Sequence, residues 1–279
     1  MDHDIDDHDR GLSHDLPTLL SRRRLLAGLG GLGGLAALAA CDPGSPSATG
    51  AVTPNAAASS QPSGGASSGA SAGARIPEET AGPFPGDGSN GVNVLTQSGI
   101  VRSDITRSFG SGSALARGVP LRIRLAVTDT AAGAAPLAGA AVYVWHCDID
   151  GNYSLYAAGL TGENYLRGVQ ETDGSGVVTF TSVYPGAYSG RWPHIHFEVY
   201  PSLAKAATAS GKLRTSQLAL PQAACATVYA TDGYGRSATN LSQSSLERDM
   251  VFSDGYSLQL ATVTGTVGQG MTATLTVPV

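Results

Sequence analysis

Residues 184–200 read Y-P-G-A-Y-S-G-R-W-P-H-I-H-F-E-V-Y, and the last seven alternate as a β-strand does. The alternation sets His194 and His196 on one face of that strand and Ile195, Phe197 and Val199 on the other. An extended H-x-H holds two imidazoles side by side on rigid backbone, a common way to present two nitrogen ligands to one metal. Just before the strand, Pro185-Gly186 turns the chain and brings Tyr188 and Arg191 beside it. The chain has six histidines, of which His3, His8 and His14 fall in a leader described below. Of the other three, His146, His194 and His196, two lie in this strand.

Outward from it, the same period of two recurs. Val119, Leu121, Ile123, Leu125 and Val127 alternate with Arg122 and Arg124, which predicts a strand with one wet face. Pro136-Leu137-Ala138-Gly139 turns the chain into a strand over Ala141–Cys147 that carries Trp145 and His146. Thr172-Asp173-Gly174-Ser175-Gly176 is a tight turn leading into another strand over Val177–Val183. Leu203–Gly211 reads as a short helix, and Ser257–Thr264 with Thr272–Val277 as a closing hairpin across Gly268-Gln269-Gly270. Short strands with frequent turns predict an all-β fold: a β-sandwich, or a barrel, of mostly antiparallel strands with long loops and little helix. No repeat at solenoid spacing occurs.

The folded domain is expected over residues 76–279, with two segments of other character ahead of it. Residues 1–41 read as an export signal: a polar start, Ser21-Arg22-Arg23-Arg24-Leu25-Leu26, then an apolar run of Leu, Ala and Gly to Ala40. The arginines resemble a twin-arginine signal, and Leu38-Ala39-Ala40-Cys41 resembles a lipobox. The expectation is therefore an exported protein on the extracytoplasmic face, touching membrane only through lipid on Cys41. Residues 42–75 are nearly all Gly, Ala, Ser, Pro and Thr and read as a disordered tether, because they cannot bury enough apolar surface to offset ordering. Charged residues make up 14% of the chain and the formal net charge is −5. No basic block follows the leader, so there is no electrostatic footprint for nucleic acid.

Read from the residues alone, the strongest chemical set is His194, His196 and the oxygen ligands near them. Tyr153 and Tyr188 each end a glycine-containing turn, Asp150-Gly151-Asn152-Tyr153 and Pro185-Gly186-Ala187-Tyr188. A sandwich can bring both turns to the H-x-H strand. Phenolate oxygens favour a hard, highly charged ion such as ferric iron, while imidazoles suit many metals. Against this stands a plainer account, in which the tyrosines are corner residues bonded to backbone and H-I-H is an exposed strand. His146, next to Trp145 inside a strand, reads as a satisfied structural histidine.

The segment Val144-Trp145-His146-Cys147-Asp148-Ile149-Asp150-Gly151-Asn152-Tyr153, then Leu166-Arg167-Gly168 and Thr172-Asp173-Gly174, then Tyr184 to Phe197, resembles the intradiol ring-cleavage dioxygenases, which include protocatechuate 3,4-dioxygenase and the catechol 1,2-dioxygenases. The resemblance covers roughly residues 76–279. It implies a β-sandwich on which two tyrosinates and two histidines hold a non-haem Fe(3+) ion. By position the ligands would be Tyr153, Tyr188, His194 and His196. The resemblance makes Tyr188 the tyrosine that leaves the iron when a catechol binds and then accepts one of its protons. It makes Arg191 the cation that steadies negative charge on the ring, and it loosely matches Gln217 to a glutamine behind the metal. The implied activity is an oxidoreductase that cleaves a catechol with O2 to a cis,cis-muconate-type diacid. The helical dimerisation segment of the catechol 1,2-dioxygenases is not found here.

Two other readings compete. Pro136-Leu137-Ala138-Gly139-Ala140, Thr172-Asp173-Gly174 and Tyr184-Pro185-Gly186-Ala187-Tyr188 also resemble carboxypeptidase regulatory-like modules, which would make the domain a non-catalytic binding or spacer module of a surface lipoprotein. A zinc hydrolase using His194 and His196 would need a third His, Asp or Glu ligand and a general base. Cys147 and Cys225 are expected to pair as a disulfide in an oxidising compartment, the alternative being two buried thiols in a protein folded before export.

Overall fold

The computed structural model of the protein describes residues 73–279. The expected leader, and all of the expected tether except Gly73–Arg75, lie outside the described residues.

The alternation in residues 119–127 becomes strand β1 (Pro120–Asp129). Its Leu121, Ile123, Leu125 and Val127 are buried, and Arg122 and Arg124 point to solvent. Removing each such aliphatic side chain from water contributes about 1.5–3 kcal/mol, so one strand fixes the register of a whole sheet. Along one edge β1 pairs antiparallel with β5 (Val177–Val183) and, further on, with the short β2 (Ala135–Pro136). Along its other edge it pairs parallel with β9 (Gly270–Pro278), which pairs antiparallel with β8 (Thr262–Thr266).

The second sheet is antiparallel throughout, in the order β4 (Arg167–Glu171), β3 (Ala141–Trp145), β6 (His194–Tyr200) and β7 (Arg214–Ala219). The two sheets share one apolar core in which Leu121, Ile123 and Leu125 pack with Val142, Val144, Ile195, Phe197 and Val199. All seven residues of β6 are buried, the histidines included. The reason is a second cluster on the outer face of this sheet, where Tyr143 and Trp145 pack with Val94, Leu95, Ile100, Tyr153 and Tyr188. The long segments on either side of β1–β3 thus cover the histidine face of β6, which makes it an interior surface. The all-β sandwich with long loops is the observed architecture.

Three short helices follow β6. Helix α1 (Leu203–Ala207) begins where Ser202 caps the backbone N–H of Lys205. It stops four residues before Gly211, the expected end, because the chain turns at Thr208 to enter β7. Helices α2 (Gln222–Tyr229) and α3 (Gly235–Ser242) were not expected; the first has no clear apolar stripe in its sequence.

The expected disulfide is absent: Cys147 and Cys225 are both free and buried. They sit in different clusters of the core. The Cys147 thiol donates to the Gly186 carbonyl at 3.4 Å, and the Cys225 sulfur lies 3.3 Å from the Tyr184 hydroxyl. Each thiol is satisfied by its own neighbour.

Candidate metal centre

Strand β6 delivers the two imidazoles side by side. His194 Nε2 and His196 Nε2 are 3.1 Å apart, with ring planes at 80°. Two nitrogens each about 2.0–2.1 Å from one ion and at right angles to each other stand about 3 Å apart, so the pair matches a chelating bite. The His194 ring is oriented by its Nδ1, 2.5 Å from the Trp192 carbonyl. That nitrogen must donate, which leaves the Nε2 lone pair facing the site. Burial, with Arg191 adding to it, pushes the His194 pKa down to about 3. Burial and then His194 hold His196 well below the usual histidine range. Both rings are therefore neutral at physiological pH, the state a metal requires.

The two tyrosine turns meet at these rings. Tyr188 Oη lies 3.2 Å from His194 Nε2. The Tyr153 ring packs edge-on against Tyr188, with centroids 6.0 Å apart, and against His196, with centroids 6.2 Å apart. Gly151 allows the turns to come this close. Its φ is +89°, and a Cβ there would sit 3.1 Å from Tyr188 Cβ. The Tyr153 hydroxyl is buried without a hydrogen-bond partner. Burial, and then Tyr188 beside it, raise its pKa well above the usual range. A buried unsatisfied hydroxyl costs about 1–3 kcal/mol, and such an atom calls for an explanation.

Arg191 does not stand as an isolated cation beside the site. Its Nε donates to Asp249 Oδ2 at 3.0 Å and its Nη2 to Gln217 Oε1 at 2.7 Å, all three side chains being buried. Gln217 faces His196 across the β6–β7 ladder and donates through Nε2 to the Thr80 carbonyl at 2.9 Å. Burial opposes ionisation of Asp249, but Arg191 and the Trp192 N–H together hold the carboxyl below its usual range. Asp249 gave no signal in the sequence.

The segment leading into the domain closes the site from above. Gly82, at φ +69°, approaches His196 so closely that a Cβ would lie 3.3 Å from Cε1 of the ring. Arg167, wholly buried, pins this segment to the Tyr153 turn by donating to the carbonyls of Phe84, Pro85 and Ser154, each at 2.9 Å. His146 lies apart from the centre. Its Nδ1 is 2.7 Å from the Cys147 carbonyl and its Nε2 is 2.7 Å from Ser182 Oγ, so both ring nitrogens are satisfied.

Tyr153, Tyr188, His194 and His196 thus lie together as one buried cluster of two phenols and two imidazoles. Among the described residues no group of three or more His, Cys, Asp or Glu is placed to hold a metal. The third ligand that a zinc hydrolase would need is thus not supplied by those types among the described residues. The orphaned Tyr153 hydroxyl and the facing Nε2 atoms fit a hard trivalent ion, for which phenolate and imidazole are suitable donors.

Residues 97–208 match the Dioxygenase_C family, described as Dioxygenase. No curated protein matches the chain. Among solved structures, the chain is similar to an intradiol ring-cleavage dioxygenase from Tetranychus urticae at 21% identity, with a TM-score of 0.57 and coverage of 74% of this chain and 94% of that one. The crystal structure of dioxygenase Tetur07g02040 gives the same identity and TM-score over 74% of this chain and 93% of that one. Catechol 1,2-dioxygenase from Pseudomonas arvilla C-1 is more distant, at 17% identity and a TM-score of 0.46 over 73% of this chain and 62% of that one. Residues 97–208 thus match a dioxygenase family model, and the fold is similar to that of an intradiol ring-cleavage dioxygenase.

Proposed function

We propose that the domain is a non-haem Fe(III) intradiol dioxygenase that cleaves a catechol-type ring with O2 to a cis,cis-muconate-type diacid. The observation that carries this reading is the convergence of Tyr153 and Tyr188 on His194 and His196 in the buried interior. A spacer module has no use for two imidazoles set at a 3.1 Å bite with two phenols packed against them.

Held by His194 Nε2, His196 Nε2 and the two phenolate oxygens, a ferric ion would act as Lewis acid and template for the bound diol and would activate it toward dioxygen. The protein's own groups have distinct tasks. His194 is fixed in ring orientation and tautomer by the Trp192 carbonyl. Tyr188 is the group placed to hold or release a proton: its hydroxyl sits at the His194 ring, and a diol entering with two acidic hydroxyls needs an acceptor. Tyr153, packed by Phe84 and His196, stays in place as the second phenol. The Arg191–Asp249 pair is close to neutral as a whole, so Arg191 acts as a rigidly aimed hydrogen-bond donor and not as a free charge. The residues around the centre are almost entirely buried, which limits water and strengthens each of these interactions.

The sequence signals at Arg22-Arg23 and Leu38-Ala39-Ala40-Cys41 support export with a lipid anchor, and with it an activity outside the cytoplasm. The purified protein should carry about one iron per chain and be coloured by phenolate-to-iron charge transfer, which a filled-shell ion such as zinc cannot give. Anaerobic addition of catechol should shift that band. A protein that stays colourless and inactive toward catechols after loading with ferric iron overturns the reading.

A further inference from the structure

The two site imidazoles are held in different ways. His194 has a hydrogen bond from Nδ1 to the Trp192 carbonyl. His196 has none: its Nδ1 is buried and without a hydrogen-bond partner. A ligating histidine is ordinarily oriented through its second nitrogen, so something else must hold this ring. The Trp145 indole does so geometrically. It stacks on His196 at 4.8 Å between centroids and 7° between planes, and it is itself backed by Tyr143 at 4.9 Å and 20°. Trp145 and His196 are register partners in the β3–β6 ladder, so the stack is built into the sheet. Gly82 limits the ring from another side, since even a Cβ there would sit 3.3 Å from His196 Cε1.

We propose that Trp145 is the positioning residue for His196, holding the ring by face-to-face stacking where His194 is held by a hydrogen bond. The indole Nε1 is buried and makes no hydrogen bond, so no hydrogen bond of its own sets the orientation of Trp145 against the stack. Stacking fixes the plane of the imidazole but leaves open which nitrogen carries the proton. The inference rests on the proposed metal site for its functional meaning, and on the stack alone for its geometry.

The test uses Trp145→Phe, which keeps an aromatic face, and Trp145→Leu, which keeps bulk without one. Ferric iron affinity is measured by competition with a chelator. In the metal-free protein, the ring-proton resonances of His196 report directly on the shielding by the indole face. The expected result is an affinity within about threefold of wild type for Trp145→Phe and a loss of about tenfold or more for Trp145→Leu, the range seen when an orienting group is removed. In Trp145→Leu the His196 ring protons should also lose their upfield shift. Equal affinity and unshifted resonances in a folded Trp145→Leu protein overturn the inference. If wild type takes up no iron, the proposed function falls, and the positioning claim then stands or falls on the His196 resonances alone.

Discussion

Asp249 Oδ2 accepts two hydrogen bonds at once, from Arg191 Nε at 3.0 Å and from the backbone N–H of Trp192 at 2.6 Å. One carboxylate thereby fixes both the arginine beside the site and the backbone that starts β6. Removing it leaves a buried guanidinium uncompensated, for which about 3–5 kcal/mol of stability is the usual cost. Asp249→Ala should therefore lower the unfolding free energy measured in urea by an amount in that range. The double variant Arg191→Met, Asp249→Leu should recover part of the stability while activity stays lost. If the double variant is active, Arg191 has no part in the reaction.

Glu79 offers a pH readout. It lies half-buried at the site's edge, accepting from Gln259 Nε2 at 3.3 Å, and burial followed by Asp254 raises its pKa from 4.5 to about 7. Between those values the folded protein holds a proton that the unfolded chain has released, so stability falls as pH rises through this window and the penalty is complete above it. Allowing for solvent screening of a partly exposed group, the penalty is about 1–2 kcal/mol. Glu79→Gln should match wild type at pH 5 and exceed it by that amount at pH 8 in chemical denaturation. A difference that does not change with pH would remove Glu79 from the account.

The alternation of β1, β5 and β6 was readable because each buries one apolar face against the shared core. Tyr153 and Tyr188 were readable as site residues because each closes a glycine turn at a fixed distance from the H-x-H strand. Other features left no local mark. Leu121 pairs with Met271 in the parallel β1–β9 ladder, and nothing in either segment announces a partner so distant in sequence. Asp249 is one acid in a polar loop, and only tertiary structure brings it to Arg191. Helix α2 escaped notice because packing, not its own periodicity, stabilises it. The disulfide expectation failed because compartment argues only that cysteines pair when they meet, and Cys147 and Cys225 lie in separate clusters of the core.

Those two cysteines give a direct chemical check. Burial pushes the Cys225 thiol up to about 12, and Cys147 higher still. Neither forms appreciable thiolate at neutral pH. In a Cys41→Ala background, a thiol reagent should find no reactive group in the folded protein and two after denaturation. Reducing agent should leave the thermal midpoint unchanged. Two groups missing after denaturation without reductant would mean that the bridge forms after all.

The two tyrosines separate stability from function most sharply, because the structure treats their hydroxyls in opposite ways. Tyr153 Oη is buried with no partner, so Tyr153→Phe removes an unsatisfied polar atom and should stabilise the metal-free protein by about 1 kcal/mol. Tyr188 Oη has a partner in His194 Nε2 at 3.2 Å, so Tyr188→Phe gives up a hydrogen bond and should cost about 0.5–1.5 kcal/mol. Both changes remove a phenolate from the proposed ferric centre, and both should weaken and shift the visible charge-transfer band. Iron content should fall further for Tyr153→Phe, since Tyr188 is the ligand expected to leave when a diol binds. The measurements are denaturation of the metal-free proteins alongside iron content and visible spectra of the loaded ones. A domain stabilised by Tyr153→Phe that also loses its iron carries that hydroxyl for the metal and not for the fold. If Tyr153→Phe instead destabilises the metal-free domain and leaves iron content and colour untouched, Tyr153 is a packing residue and the donor set proposed here is wrong.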